Sequence, residues 1–490
     1  MEFITQGFFK SVQFFLNNIV FINILLSIIV VFFQRKEPTS VWAWLLILYA
    51  IPILGFLFYV LLGMDFHKNK MFRTKEIEDR LNEAIRKQER SIINHELGKE
   101  DPQITPFSDL IMYNLESNGS VLTDNNDMII YIDGNEKFEA LIEDIRQAQS
   151  YIFIQYYIIR NDVLFNRIKD ELLKKVNSGV EVKILYDGMG CRNVSKSYWK
   201  KLNMQGIETA EFFPATLRRL HLRMNYRNHR KIVVIDGKIG YVGGYNIGKE
   251  YIGLDKKFGY WRDTHLRLQG TAVHDLFMHF VLDWNYSAGE NLFTKKKYNP
   301  PVFDSPPGNC EIQIIASGPD SMDQHIRNNY LRLISKAEKS IFIQTPYFIP
   351  DDAILSALII ACHSGIDVNV MIPCKPDHPF VYWATYSHVG DLVMAGAKCY
   401  TYNNGFLHSK GLMIDGKVLC YGTANMDIRS FKLNFEVNAI VYNEEETKKM
   451  QSIFYEDLKY CKRITKGIYT QRSLKIRVKE QFCRLLSPIL

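Results

Sequence analysis

The chain has 490 residues, with 60 Lys plus Arg against 53 Asp plus Glu for a net charge of +7, and it is 47% hydrophobic, 13% aromatic and 23% charged. That balance excludes an intrinsically disordered protein, and 29 Gly with 16 Pro exclude collagen-like or proline-rich low complexity. At roughly 150 residues per domain, about three units are expected.

The amino-terminal unit, residues 1–66, reads as two transmembrane helices. No charge interrupts the chain between Lys10 and Arg35 or between Glu37 and Asp65. Each run exceeds the about 20 apolar residues that cross a bilayer core. The spacing predicts helices over about 14–33 and 41–64, with Trp42, Trp44 and Tyr59 near the ends, where amphipathic rings sit at the interface. Asn17, Asn18 and Asn23 in the first span are read as helix-packing residues. Lys68, Lys70, Arg73 and Lys75 outnumber Arg35 and Lys36, so the positive-inside rule places the rest of the chain in the cytoplasm. Residues 67–125 are charged, then polar and turn-rich, and read as a neck and linker.

The remainder is one pattern written twice. AQSYIFIQ, Ala148 to Gln155, recurs as AEKSIFIQ, Ala337 to Gln344, and HRKIVVIDGKIGYVGGYN, His229 to Asn246, recurs as HSKGLMIDGKVLCYGTAN, His408 to Asn425. Helical stretches alternate with apolar strands in each copy, which predicts an α/β layer architecture. Two tandem α/β domains, 126–305 and 306–490, are expected to place their sheets side by side around a shared site.

Within each copy the chemistry-bearing spacing is H-x-K-x4-D with an Asn beyond it: His229, Lys231, Asp236 and Asn246, answered by His408, Lys410, Asp415 and Asn425. Positions two apart on a strand share a face, so each His and Lys point the same way. Asp236 and Asp415 have the opposite parity and open an Asp-Gly-Lys turn, which suits shaping the turn and its charges. Brought together, the half-sites offer two imidazoles, two cations and the amides of Asn246 and Asn425 to one tetrahedral anion such as a phosphodiester. Lysines and amides can stabilise its charge without a metal ion, so neither a metal nor a cofactor is expected. The eight cysteines spell no C-x-x-C and are expected to be reduced thiols.

The duplicated motif resembles the phospholipase D superfamily. With NYRNHRKIVVIDG, GYNIGKEYIG, YWRDTHLRLQG, GFLHSKGLMIDG and NFEVNAIV, the chain is similar over nearly its whole length to the bacterial cardiolipin synthases. The resemblance implies a membrane enzyme that converts two phosphatidylglycerol molecules to cardiolipin and glycerol through a phosphohistidine. It implies that His229, Lys231, Asp236, His408, Lys410 and Asp415 are active-site residues, with His229 favoured as nucleophile. It further implies an acid that orients each histidine, and Asp263 and Glu436 follow His229 and His408 at distances that match once six extra residues in the first copy are allowed for. Phosphatidylglycerol and anionic membrane lipid are the expected partners, and nucleic acid is not. A phosphodiesterase that cuts lipid or nucleic acid with water as acceptor is the alternative.

Two further features stand out. Arg218, Arg219, Arg223, Arg227, Arg230 and Lys231 form a basic run suited to anionic head groups. Leu474, Val478, Phe482, Leu485, Leu486 and Ile489 recur at helical spacing among Arg and Lys, which suits either a membrane interface or docking on the catalytic domain.

Overall fold

The computed structural model describes residues 18–28, 38–51, 102–213, 226–294 and 307–487 apart from 322 and 376, with a few isolated positions besides. In the first half the strands are β1 Thr123–Tyr131, β2 Tyr151–Tyr156, β3 Glu181–Asp187, β4 Ile207–Phe212, β5 Arg227–Asn228, β6 Ile232–Ile235, β7 Ile239–Gly243, β8 Trp261–Arg262 and β9 His265–Gln269. In the second they are β10 Cys310–Ser317, β11 Ser340–Gln344, β12 Phe348–Ile349, β13 Asp367–Pro373, β14 Lys398–Tyr402, β15 Phe406–Leu407, β16 Gly411–Ile414, β17 Val418–Gly422, β18 Met426–Asp427, β19 Asn434–Val441 and β20 Cys461–Ile464.

The repeated sequence folds as a repeated topology. The first half runs β1-β9-β7-β6-β2-β3-β4 and the second β10-β19-β17-β16-β11-β13-β14, with β20 added at the far edge. The expected side-by-side sheets are in fact one sheet of 16 strands, because β1 and β10 pair antiparallel (Thr123 with Ile312, Asn126 with Cys310). Each strand that opens a repeat thus gives its free edge to its counterpart, which removes two exposed edges at once.

Strands such as YIFIQY of β2 are buried along their whole length, as expected where helices cover both faces. The helix Gly134–Gln147 shows how such covering arises: Asp133 caps it by accepting from the Asn135 and Glu136 amides, and Phe138, Leu141, Ile142 and Ile145 line its buried face. One core cluster fills the outer layer of the first half, around Phe138, Ile154 and Trp199. A second fills the outer layer of the second half, around Tyr330, Ile343 and Leu392. A third is shared, with Phe153, Phe280 and Trp284 from one half and Phe342, Met413 and Phe435 from the other. The shared core holds the halves in fixed register, on which a composite site depends.

Residues 102–122, read from sequence as part of a linker, carry a helix, Ser108–Asn118, that joins the outer core of the second half through Ile104, Phe107, Leu110, Ile111 and Leu122. Its polar positions hid it: Asn114 is buried and donates to Gln313 at 3.0 Å, an interaction with no local sequence sign.

The expected spans over 14–33 and 41–64 lie partly outside the described residues, and the neck over 67–101 wholly so. Among the described residues no helix is long and apolar enough to cross a membrane. Residues 18–28 and Pro38–Ala50 are helical and touch: the Asn23 amide donates to the Leu48 carbonyl at 2.9 Å, and Leu26 clusters with Trp44, Leu48 and Tyr59. Asn23 therefore acts as the packing residue expected of it.

Candidate active site

Each histidine sits where a short strand of one half is added to the other half. Strand β5 pairs parallel with the start of β19, Asn228 opposite Phe435, and the His229 amide continues the ladder by donating to the Phe435 carbonyl at 2.9 Å. Strand β15 likewise pairs with β8, Leu407 opposite Arg262, and the His408 amide donates to the Arg262 carbonyl at 2.7 Å. His229, Lys231, His408 and Lys410 therefore lie in links between strands, not within the regular strand their parity suggested.

This docking corrects the pairing of histidines with acids. The next residue after Phe435 is Glu436, and its carboxylate meets His229 Nδ1 at 2.9 Å. The next after Arg262 is Asp263, and its carboxylate meets His408 Nδ1 at 2.6 Å. Asp263 and Glu436 do contact the histidines, but each serves the histidine of the opposite half. Both carboxylates are completely buried, so in each pair Nδ1–H donates to the anion, which leaves Nε2 as the ring nitrogen not held by the acid. Neither half can orient its own histidine.

The lysines close the ring. Lys231 Nζ donates to the His229 carbonyl at 2.6 Å, and Lys410 Nζ donates to the His408 carbonyl at 2.5 Å and lies 2.8 Å from His408 Nδ1. Burial pushes His229 down to about 4, against the pull of Glu436, and the charges of Lys231 and Lys410 lower it further. Burial, Lys410 and Lys231 likewise bring His408 down to about 4. Each imidazole thus feels the charge of the other half's lysine as well as its own. The lysines themselves are pushed down by burial, Lys231 to about 7 and Lys410 to about 8. Burial raises the acids, but Lys410 and His408 outweigh it at Asp263, and His229 and Lys231 do so at Glu436, so both stay below the usual carboxylate range. The resting site thus holds two neutral imidazoles between two anions and two easily neutralised cations.

Asp236 and Asp415 face away from this ring. Asp236 accepts from the backbone amides of Gln149, Ser150 and Tyr151 at 2.7 to 2.9 Å, and Asp415 from those of Glu338, Lys339 and Ser340 at 2.7 to 2.9 Å. Each stands at positive φ beside a glycine also at positive φ (Asp236 52°, Gly237 67°; Asp415 56°, Gly416 67°), the pair of conformations a type I′ hairpin turn demands. Asp236→Ala should therefore show first in stability, at a cost of about 2–3 kcal/mol for the lost charge-assisted hydrogen bonds. Thermal unfolding of the full chain reads this directly; an unchanged midpoint with turnover abolished would assign the carboxylate to chemistry instead.

Asn246 is buried, with Oδ1 accepting from the Ile158 amide at 3.1 Å and Nδ2 donating to the Tyr251 hydroxyl at 3.1 Å. Asn425 is also buried and donates to Asp427, while its carbonyl oxygen has no partner among the described residues. Among the described residues each amide group makes one such donation, which leaves it a second hydrogen to give. Of the basic run, Arg218, Arg219 and Arg223 lie outside the described residues. Arg230 turns inward to Asp283 at 2.9 Å and Lys231 into the pocket, so these two are not the surface charges expected of them.

Sequence reasoning missed a buried support behind each histidine. In the first half Arg230 and Asn228 bind Asp283, which also takes Gln155 at 2.6 Å. Behind His408, Arg262 reaches across from the first half to bind Asp457, which also takes Gln344 at 2.9 Å. Gln155 and Gln344 close the two repeated octapeptides, a signal that was available; Asp283 and Asp457 on helices have no such sign. Thr423 Oγ1 donates to Glu436 at 2.5 Å, and Tyr157 and Trp261 stand edge-on or tilted to His229 and His408, ring centres 4.9 and 5.1 Å away.

Residues 141–258 and 330–458 match the family described as "Cardiolipin synthase, PLD-like domain", and residues 21–63 match "Phospholipase D-nuclease N-terminal". The major cardiolipin synthase ClsA of Bacillus subtilis (strain 168) is 48% identical over 98% of this chain and 100% of its own. A cardiolipin synthase of Oceanobacillus iheyensis is 46% identical over 96% of this chain and 97% of its own. Among solved structures, the phosphatidylserine synthase of Haemophilus influenzae Rd KW20 shares the fold, with a TM-score of 0.58 at 14% identity over 74% of this chain and 95% of that one. The duplicated half-sites, their fused sheet and these matches along nearly the full length agree: the chain belongs to the cardiolipin synthase family of the phospholipase D superfamily.

Proposed function

We propose that the chain moves the phosphatidyl group of one phosphatidylglycerol to the free hydroxyl of a second, giving cardiolipin and glycerol. His229 Nε2 attacks phosphorus of the donor, the bond from phosphorus to the glycerol oxygen breaks, and His408 Nε2–H gives its proton to the leaving glycerol. The phosphatidyl group then rests on His229. His408, now neutral, takes the proton of the acceptor hydroxyl, whose oxygen attacks phosphorus and releases the His229 nitrogen. Lys231 and Lys410, with the second amide hydrogens of Asn246 and Asn425, meet the charge that builds on the non-bridging oxygens. No step consumes a cofactor, and the lysines supply the positive charge.

The observation that carries this reading is the crossed hydrogen bonding of His229 to Glu436 and His408 to Asp263, in which each half supplies the acid for the other half's histidine, so that neither imidazole is set without both halves. Both imidazoles are neutral before substrate enters, which suits the nucleophile. An anionic phosphodiester beside the lysines offsets their charge and restores the basicity of His408, so that it can carry its proton once the donor is bound.

Residues 14–33 and 41–64 are proposed to anchor the enzyme as a membrane hairpin with the catalytic halves in the cytoplasm, supported by their uncharged composition and the contact of Asn23 with Leu48. An enzyme tethered at the bilayer meets lipid at high effective concentration and nucleic acid no more than a soluble protein does. Vesicles of labelled phosphatidylglycerol test the proposal: equal cardiolipin and glycerol are expected, in the presence of chelator as in its absence. Phosphatidic acid without cardiolipin would show water as the acceptor, and activity lost to chelator and restored by a metal would contradict the role of the lysines.

The lysines also set a pH dependence. As pH rises through about 7 and then about 8, Lys231 and Lys410 of the free enzyme lose their protons, and an anionic diester must bind with proton uptake. KM should therefore climb on the alkaline side, by up to about tenfold per pH unit for each neutral lysine. Steady-state kinetics from pH 6 to 10 would show this; a flat KM would contradict it.

A further inference from the structure

The last described helix, Leu474–Leu485, turns its apolar stripe away from the protein. Leu474, Val478, Phe482 and Leu485 follow one another along one face and are 75%, 60%, 56% and 68% exposed. The opposite face docks. There Glu480 is fully buried and binds Arg472 at 2.7 Å, and Cys483 packs with Ile349 and Ala384. A surface helix ordinarily buries its apolar stripe and leaves its charges in water. This one is held in place by a buried ion pair while its apolar side chains stand outward.

The charges around the stripe select an occupant. At 100° per residue Lys475 borders it on one side and Arg477 on the other, both exposed, while the Lys479 ammonium lies over the Trp383 ring at 5.3 Å and Arg484 pairs with Asp391 towards the docked side. The helix's one acid, Glu480, points inward, so only positive charge rims the exposed stripe. Apolar side chains flanked by long cationic ones whose heads can reach outward are what the head-group layer of an anionic bilayer accommodates.

We propose that Leu474–Leu485 is a membrane-docking helix that lies in the interface of an anionic bilayer and holds the catalytic cleft at the level of the head groups. It is coupled to the site through the helix it packs on, Pro379–Ala395, which begins just after Asp377; the charge of Asp377 acts on the catalytic Lys410, and Asp377 accepts from the Tyr347 hydroxyl. Membrane-facing helix, supporting helix and cleft thus form one continuous body. The inference deepens the proposed function by supplying a second contact with the lipid surface, distant in sequence from the amino-terminal anchor.

The test uses the full chain with p-benzoylphenylalanine in place of Phe482, reconstituted in vesicles of phosphatidylglycerol and phosphatidylcholine and irradiated. A covalent adduct of phospholipid mass on the segment 474–485 is expected. A cross-link to another part of the same chain, to a second copy, or no cross-link at all would overturn the proposal. This readout needs no turnover, so it stands apart from the reaction assigned above. As a second measurement, Val478→Glu combined with Phe482→Glu should raise KM for phosphatidylglycerol in vesicles by at least about tenfold while short-chain, water-soluble phosphatidylglycerol is turned over at an unchanged kcat. Equal losses on both substrates would likewise overturn it.

Discussion

His229→Ala and His408→Ala are each expected to lower cardiolipin formation by at least about 10⁴-fold, and the double variant by little more than either alone. The nucleophile and the proton carrier act on the same phosphorus in sequence, so loss of one leaves the other without a task. What survives is the charge stabilisation from Lys231 and Lys410 and the holding of two lipids close together. Turnover of labelled phosphatidylglycerol in vesicles measures this. More than one hundredth of the activity in either single variant would contradict the assignment.

The second large effect follows from the crossing of acids between the halves. Glu436→Gln and Asp263→Asn keep shape while removing the anion that fixes each imidazole tautomer, and losses of about 10²–10⁴ in kcat are expected by analogy with other buried acid–histidine pairs. The pattern matters more than the size. A phosphatidyl ester of p-nitrophenol leaves without a proton, so its first-step release needs the nucleophile but no general acid. Release should survive in His408→Ala and Asp263→Asn and fail in His229→Ala and Glu436→Gln. If Asp263→Asn instead fell in with His229→Ala, the contacts at 2.9 and 2.6 Å would not be the ones that govern the chemistry.

What could be foreseen and what could not divide along the range of the interaction. Lys231 and Asp236 stand at the two ends of the short strand β6, and Lys410 and Asp415 at the two ends of β16, so their spacing carries their arrangement. The turn role of Asp236 follows from parity and the Asp-Gly pair, and the three amides it accepts from agree with that. The exchange of Asp263 and Glu436 is set by strands β8 and β15 meeting across 145 residues and by β5 and β19 across 207, and no local pattern encodes which half an added strand will join. The same applies to the fusion of the sheets at β1 and β10. For Leu474–Leu485 the apolar stripe was visible, but which face docks is decided by the buried pair of Arg472 and Glu480, both of them residues that composition would assign to water.

The most direct measurement of the central claim, one phosphorus passed through one pocket shared by two halves, is to stop turnover of labelled phosphatidylglycerol in alkaline denaturant, which preserves a phosphoramidate bond, and map the label. The account predicts a phosphatidyl group on a single histidine of the pair, His229, at no more than one per chain, and none in His229→Ala. No covalent label during active turnover, or label on His229 and His408 of the same chain together, would contradict it.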